Sequence, residues 1–285
     1  MSGSPVLFVS GASGQLGRRV VSLLLAQGHR VVAGSRRPEG LAELAASGAE
    51  LRTVDFARPE TVAAALQGVD RALLISTDAV GARLDAQREA VTQAARAGVS
   101  HLVYTSAASV ESPELLVGPE HLGTEAAIRE NFDSYTILRN NLYAELAVQA
   151  LDQAAASGQL VTARGTGGVA WVAREDCARA AAAALADGFT GARTLDITGP
   201  AALTGEDMAA LAAAHSGKAV VHVAVSAEQL SGGLRGAGLP GPLVDLLVNF
   251  DTAAAAGLLG RVSADLEQLT GQPGRSLEAV LAAAG

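Results

Sequence analysis

Short apolar runs rich in β-branched residues alternate, through the first half of the chain, with longer segments whose apolar residues recur every three to four positions. The runs predict strands at 5–10, 30–35, 50–54, 71–76, 101–105 and 135–138, with one more near 194–198. Helical patterns fill 15–27, 40–47, 59–67, 82–97 and 120–130. Strands separated by such helices form βαβ units, in which neighbouring strands run parallel and helices cover both faces of the sheet. The run Ala72-Leu73-Leu74-Ile75 is apolar without alternation, as a strand buried on both faces requires. The expected fold is α/β, with a doubly wound, Rossmann-type, mostly parallel sheet.

After Asn141 the rhythm becomes mostly helical, with extended pieces near 168–172 and 220–225. A Gly/Pro cluster from 231 to 242 reads as a loop between two helices. The expected division is a sheet domain of 1–140 plus about 174–199, and a small, mainly helical lobe of about 141–173 plus 200–285. Composition narrows the partners. The 285 residues carry 21 Lys+Arg against 29 Asp+Glu, a net charge of −8, with no basic cluster, so nucleic acid and anionic membrane are not expected partners. The single cysteine, Cys177, excludes an internal disulfide and suits a reducing compartment. The N-terminus lacks a basic stretch ahead of its apolar run, and no run approaches the length of a bilayer span. A cytoplasmic protein is expected, and a homodimer is compatible with these features.

The strongest motif follows the first strand and opens the first helix: Gly11, Ala12, Ser13, Gly14, Gln15, Leu16 and Gly17. In such a turn the first glycine reverses the chain, the second lets the backbone approach a pyrophosphate, and the third lets the helix pack closely. The phosphates rest on free N–H groups at the positive end of the helix. An ordinary Gly-rich turn is the other reading; the strand-before, helix-after context argues against it. The second strand then chooses the dinucleotide. An acid at its end would accept from a ribose 2′-hydroxyl and repel a 2′-phosphate. This strand ends Gly34-Ser35-Arg36-Arg37-Pro38, with two arginines and no acid. A guanidinium pairs with phosphate, so NADPH is expected, bound chiefly by Arg36 with Ser35 and Arg37 in support. Solvated loop charges are the alternative. Asp55 and Phe56 after the third strand are placed to flank adenine. Ile75, Ser76 and Thr77 at the end of the fourth belong near the nicotinamide ribose.

Reductases of this general type usually lower a tyrosine pKa with a lysine four residues on. Lys218 is the only lysine, and Tyr104, Tyr135 and Tyr143 are followed at that spacing by Ala108, Arg139 and Ala147. The pair is absent. Where its helix would begin, the chain reads Pro119-Glu120-His121-Leu122-Gly123-Thr124-Glu125, and an imidazole at His121 could relay a proton to a reduced oxygen. A surface or capping histidine is an equal alternative. The other histidines are scattered, so no metal site is expected. Asp176 reads as a helix N-cap beside Cys177. Neither Cys177 nor Ser13 has the setting of a nucleophile.

These pieces occur in order with Leu74-Ile75-Ser76, Tyr104-Thr105-Ser106 and Leu138-Arg139-Asn140-Asn141-Leu142-Tyr143. Together they resemble the NmrA-like, atypical short-chain dehydrogenases, and within them the NADPH:quinone oxidoreductase (type 2) and triphenylmethane reductase group. The likeness spans essentially the whole chain, including Val172-Ala173-Arg174-Glu175-Asp176. It implies a substrate cleft between sheet domain and lobe. It also implies roles for Thr105, Ser106, Asn140, Tyr143 and Arg174 around cofactor and substrate, with His121, Tyr143 and Asn140 as catalytic candidates. Asn141 departs from the glycine expected there, which bears on the substrate. A quinone is already a strong hydride acceptor, so positioning replaces much of the acid help that a simple ketone needs. The expected activity is therefore NADPH-dependent reduction of a quinone or similar conjugated electrophile. The alternative is a dinucleotide-binding redox sensor without turnover; an isomerase or lyase has no acid/base pair to support it.

Overall fold

The computed structural model describes residues 4–284. Seven parallel strands form one sheet: β1 (Val6–Val9), β2 (Arg30–Ser35), β3 (Glu50–Thr53), β4 (Arg71–Ile75), β5 (His101–Ala107), β6 (Tyr135–Asn140) and β8 (Ala192–Ile197). Their order is β3-β2-β1-β4-β5-β6-β8. The chain moves outward from β1, then crosses back to β4, so the order reverses between β1 and β4. In open sheets of this kind the crevice at the strands' carboxyl ends at such a reversal receives the ligand.

Helices α1 (Gln15–Ala26), α2 (Ala42–Ala46), α3 (Pro59–Ala65), α4 (Leu84–Arg96), α5 (Gly118–Asn131), α6 (Ala144–Ser157) and α7 (Arg174–Ala186) link these strands. Alternate strand residues serve two cores. Leu7, Val9, Val31 and Leu73 pack with α1 and α7, while Phe8, Val32, Ala72 and Leu74 pack with α3, α4 and α5. That double burial is why β4 shows no polar alternation. In α7, Ala178, Ala180, Ala181, Ala182 and Ala184 are all buried, and their small side chains let the helix lie close on α1 and the sheet. Arg71 fixes its far end by donating to the carbonyls of Ala184, Leu185 and Phe189. A cation there also complements the helix dipole.

The remaining elements are the short pair β7 (Gln159–Thr162) and β9 (Val221–Ala224) with α8 (Gly205–Ser216), α9 (Ala227–Gly236), α10 (Gly241–Ala255), α11 (Asp265–Thr270) and α12 (Leu277–Ala284). Met208 of α8, Ala254 of α10 and Leu281 of α12 share a core with Leu151 of α6 and Trp171, whereas Leu266 of α11 packs with the α1–α7 core. Three expectations need correction. The loop expected at 231–242 shrinks to 237–240, because a capping box between Ser226 and Gln229 starts α9 firmly enough to run through Gly232 and Gly233. The piece at 168–172 is not a strand; it makes only single bridges, Tyr143 with Val172 and Val169 with Leu203. The partner of β9 is instead β7, parallel and in register from Gln159 opposite Val221. Asp176 is not an N-cap. The cap is Ala173, and the buried Asp176 carboxylate accepts from the Arg275 backbone at 2.6 Å and from Arg179 at 2.8 Å, tying the C-terminal segment to α7.

Candidate active site

The turn after β1 is built from backbone. Gly11 sits at φ +61°, where a β-carbon is strained, and a β-carbon on Gly17 would lie 2.3 Å from the Gly11 carbonyl oxygen. Helix α1 therefore starts hard against the turn. Its N-cap, Gly14, offers no side-chain cap, and no acid occupies its first turn, so its N–H groups are open to an anion. Ala12 and Leu16 point into the core, whereas Ser13 and Gln15 are exposed. The Ser35 hydroxyl donates to Ser13 at 3.2 Å and accepts from the Arg37 N–H, which joins the end of β2 to the turn. Arg36 and Arg37 are exposed there, and neither pairs with a carboxylate among the described residues. Asp55 accepts from the Ala57 N–H, and Phe56 is half-buried on the β1–β4 core.

At the far side of the reversal, the Ile75 N–H donates to Ser10 and the Ser76 N–H to Thr105. Beyond them opens a cleft of about 380 Å³. Ser76, Thr105 and Ser106 at the strand ends form one wall, and Leu142, Leu246 and Phe250 from α10 and the segment before α6 form an apolar one. The Ser106 hydroxyl is committed to Glu125 at 2.7 Å. Glu125 also binds Arg129 and Arg139, and although burial pushes its carboxyl up, these bonds outweigh it and hold it below the ordinary range.

His121 is only 5% exposed and borders this cleft, which excludes a surface histidine. Burial above all, with the nearby Arg83 charge, lowers its pKa to about 3, against opposition from Glu125 and Glu120. The imidazole is neutral at physiological pH. Its Nδ1 meets the Tyr104 hydroxyl at 2.9 Å. Gln87 accepts from the Thr77 N–H through Oε1, so its Nε2 donates, to Thr124 at 3.1 Å and to Tyr104 at 3.5 Å. The Tyr104 hydrogen is thus directed to Nδ1, and His121 keeps its own hydrogen on Nε2. Burial raises the Tyr104 phenol pKa well above the ordinary range, so it holds its proton.

Asn140 and Tyr143 stand at the same cleft. Asn140 is 7% exposed and its Oδ1 has no partner among the described residues, an acceptor waiting for a donor. The Tyr143 ring lies beneath the Arg174 guanidinium, 4.9 Å from ring centroid to the guanidinium carbon, and Arg174 donates to Gln15 at 2.9 Å. The structure thereby brings Tyr143, Arg174 and the glycine turn together. Asn141 is spent internally: its amide donates to the Leu259 carbonyl and its oxygen accepts from the Leu142 N–H.

Sequence reasoning missed Arg83, Gln87, Tyr104 and the α10 residues. Arg83 binds Glu120, 37 positions away, and the Thr77 carbonyl; no local pattern announces either contact. Cys177 is fully enclosed, and burial raises its thiol pKa well above the ordinary value.

An open helix N-terminus, a glycine cradle, two unpaired arginines and an orphaned Asn140 oxygen suit a phosphorylated dinucleotide. Comparison with known proteins agrees. A family model described as NAD(P)H-binding matches residues 11–188. Quinone oxidoreductase 2 of Escherichia coli (strain K12) is 32% identical over 274 residues, covering 95% of this chain and 96% of that protein. The crystal structure of the E. coli NADPH-dependent quinone oxidoreductase QOR2 complexed with NADPH superposes with a TM-score of 0.93 at 32% identity, covering 98% and 99% of the two chains. Citrobacter sp. triphenylmethane reductase complexed with NADP(H) gives 0.90 at 32% identity, covering 98% and 100%. This chain belongs to the NAD(P)H-binding family.

Proposed function

We propose that the protein is an NADPH-dependent reductase that delivers hydride to a quinone or a similarly conjugated electrophile. Bound NADPH supplies the hydride. The glycine turn and α1 receive the pyrophosphate, Arg36 with Ser35 and Arg37 receives the 2′-phosphate, and Asp55 and Phe56 flank the adenine. Ile75, Ser76, Thr77, Thr105 and Ser106 border the nicotinamide half. Arg174 stacked on Tyr143 closes the site from the lobe side, and the Asn140 oxygen accepts from a cofactor or substrate donor. In this reading 1–140 with 174–199 holds the cofactor, and 141–173 with 200–285 covers the substrate.

The carrying observation is the cleft itself: an apolar-walled pocket opening on the carboxyl ends of β4 to β6, edged by a neutral histidine and holding no lysine. Its walls exclude water and hold a flat aromatic acceptor, and alignment of the reacting atoms is the main catalytic contribution. The sensor reading is not favoured, since whole-length relatives are named as reductases. NADPH oxidation with benzoquinone, menadione and a simple aliphatic ketone tests the proposal. Turnover of the quinones and not of the ketone is expected. Tight NADPH binding with no quinone turnover would overturn it.

A further inference from the structure

Besides the Asn140 oxygen, the Arg83 guanidinium is a second group at the cleft whose hydrogen bonding the fold leaves incomplete among the described residues. Its Nε donates to Glu120 at 3.1 Å and its Nη1 to the Thr77 carbonyl at 2.7 Å. Its Nη2 is buried with no partner among the described residues; the side chain is 95% enclosed and borders the cleft. A buried donor without an acceptor is destabilising, so its retention calls for an acceptor that arrives later. His121 borders the same cleft, and its Nε2–H makes no hydrogen bond among the described residues. Glu120 offsets part of the guanidinium charge, but its oxygens are taken up by the Gly81 and Arg83 N–H groups and the Arg83 Nε–H, which leaves Nη2 uncommitted. Asp78, the other acid at the cleft, is exposed on its rim.

We propose that Arg83 Nη2 and His121 Nε2–H form an oxyanion-binding pair that selects acceptors finishing hydride addition as an oxygen anion. The inference rests on the reductase reading and sharpens its substrate class to quinones and conjugated carbonyls, ahead of cationic dyes. The balance is simple. A neutral quinone takes up a hydride, two electrons with one proton, from NADPH and becomes a hydroquinone monoanion, leaving NADP⁺. The new negative charge rests on oxygen, between the two donors. Water then supplies the second proton, and neither Arg83 nor His121 gives one up. Tyr104 and Gln87 act as positioning residues that keep the His121 hydrogen on the cleft side. A dye cation, by contrast, is neutralised by hydride at carbon and leaves no oxyanion to hold.

The test is p-nitrophenol, a stand-in for the product monoanion, titrated spectroscopically into NADP⁺-loaded protein. The wild type is expected to bind the phenolate with about a tenfold preference over the phenol, because a cation and a fixed donor both face the oxygen. Arg83→Lys should abolish most of that preference, as should His121→Phe; His121→Gln, whose amide restores a donor, should recover it in part. The two histidine variants keep the question open to measurement even where Arg83→Lys fails to fold. With menadione, removing one donor should lower kcat about 100-fold and leave the NADPH Kd unchanged. Binding of neutral nitrophenol in preference, no binding at all, or a preference untouched by these variants would overturn the pair. The titration needs no turnover, so failure of the reductase reading shows separately, as absent quinone reduction beside intact phenolate binding.

Discussion

The turn at residues 11–17 and the cleft around His121 stand on either side of the β1–β4 reversal and are made in opposite ways. The turn is seven consecutive residues acting through backbone; two of its side chains, Ala12 and Leu16, are turned away into the core. The cleft draws side chains from Ser76 to Leu259, and its key atoms are set by partners far away in sequence, Tyr104 for His121 and Glu120 for Arg83. A binding function that needs only N–H groups and free space can be written locally. A reacting site that needs one tautomer and one oriented cation must be assembled from the whole fold.

The contrast can be broken at its backbone end first. Gly17→Ala places a β-carbon 2.3 Å from the Gly11 carbonyl oxygen, and NADPH affinity should fall by more than about 100-fold in a fluorescence titration. Unchanged affinity would mean that the turn does not bind the cofactor. Arg36→Ala comes next: a lost charge-assisted contact should weaken NADPH by about 10–100-fold and NADH by less than about threefold. Equal losses would remove the 2′-phosphate from Arg36. At the cleft end, Tyr104→Phe deletes the neutral hydrogen bonds to His121 and from Gln87 and should lower kcat for a quinone by about 2–10-fold while sparing the NADPH Kd. A loss in cofactor affinity instead would make Tyr104 part of the turn's machinery.

The smallest effect is on stability. Burial chiefly, with Arg83 near His121 and Arg71 near His101, lowers these histidines to about 3 and about 4, against an ordinary 6.5. Below pH 6.5 the unfolded chain takes up protons that the folded chain refuses until about pH 4, so the unfolded state binds more protons and stability falls as pH falls through that window. Urea midpoints measured from pH 7 to 4.5 should decline, and less steeply for His121→Gln. A flat profile would mean that the two rings are more open to water than the structure shows.

The same division explains what the sequence made legible. Uninterrupted apolar runs such as Ala72–Ile75 announce strands buried on both faces, and the glycine spacing announces the turn, because each is a local requirement. The pairing of β7 with β9 joins residues about 60 positions apart through four-residue strands, too short for their periodicity to stand out. The run of α9 through glycines depends on a cap that composition alone obscured. His121 was identifiable as a candidate from its helix position. Its burial, and so its neutrality, came from Tyr104, Gln87 and Arg83, none of which shares its segment.

The central claim is that hydride transfer proceeds here beside neutral or permanently charged donors, with no side chain acting as an acid. A single-turnover measurement of NADPH oxidation by menadione from pH 5 to 9 tests it most directly. The account predicts a rate constant that stays level within about twofold, because His121 does not titrate in that range. A rate that falls with an apparent pKa between 6 and 8, and loses that dependence in His121→Gln, would contradict it and return His121 to the role of proton donor.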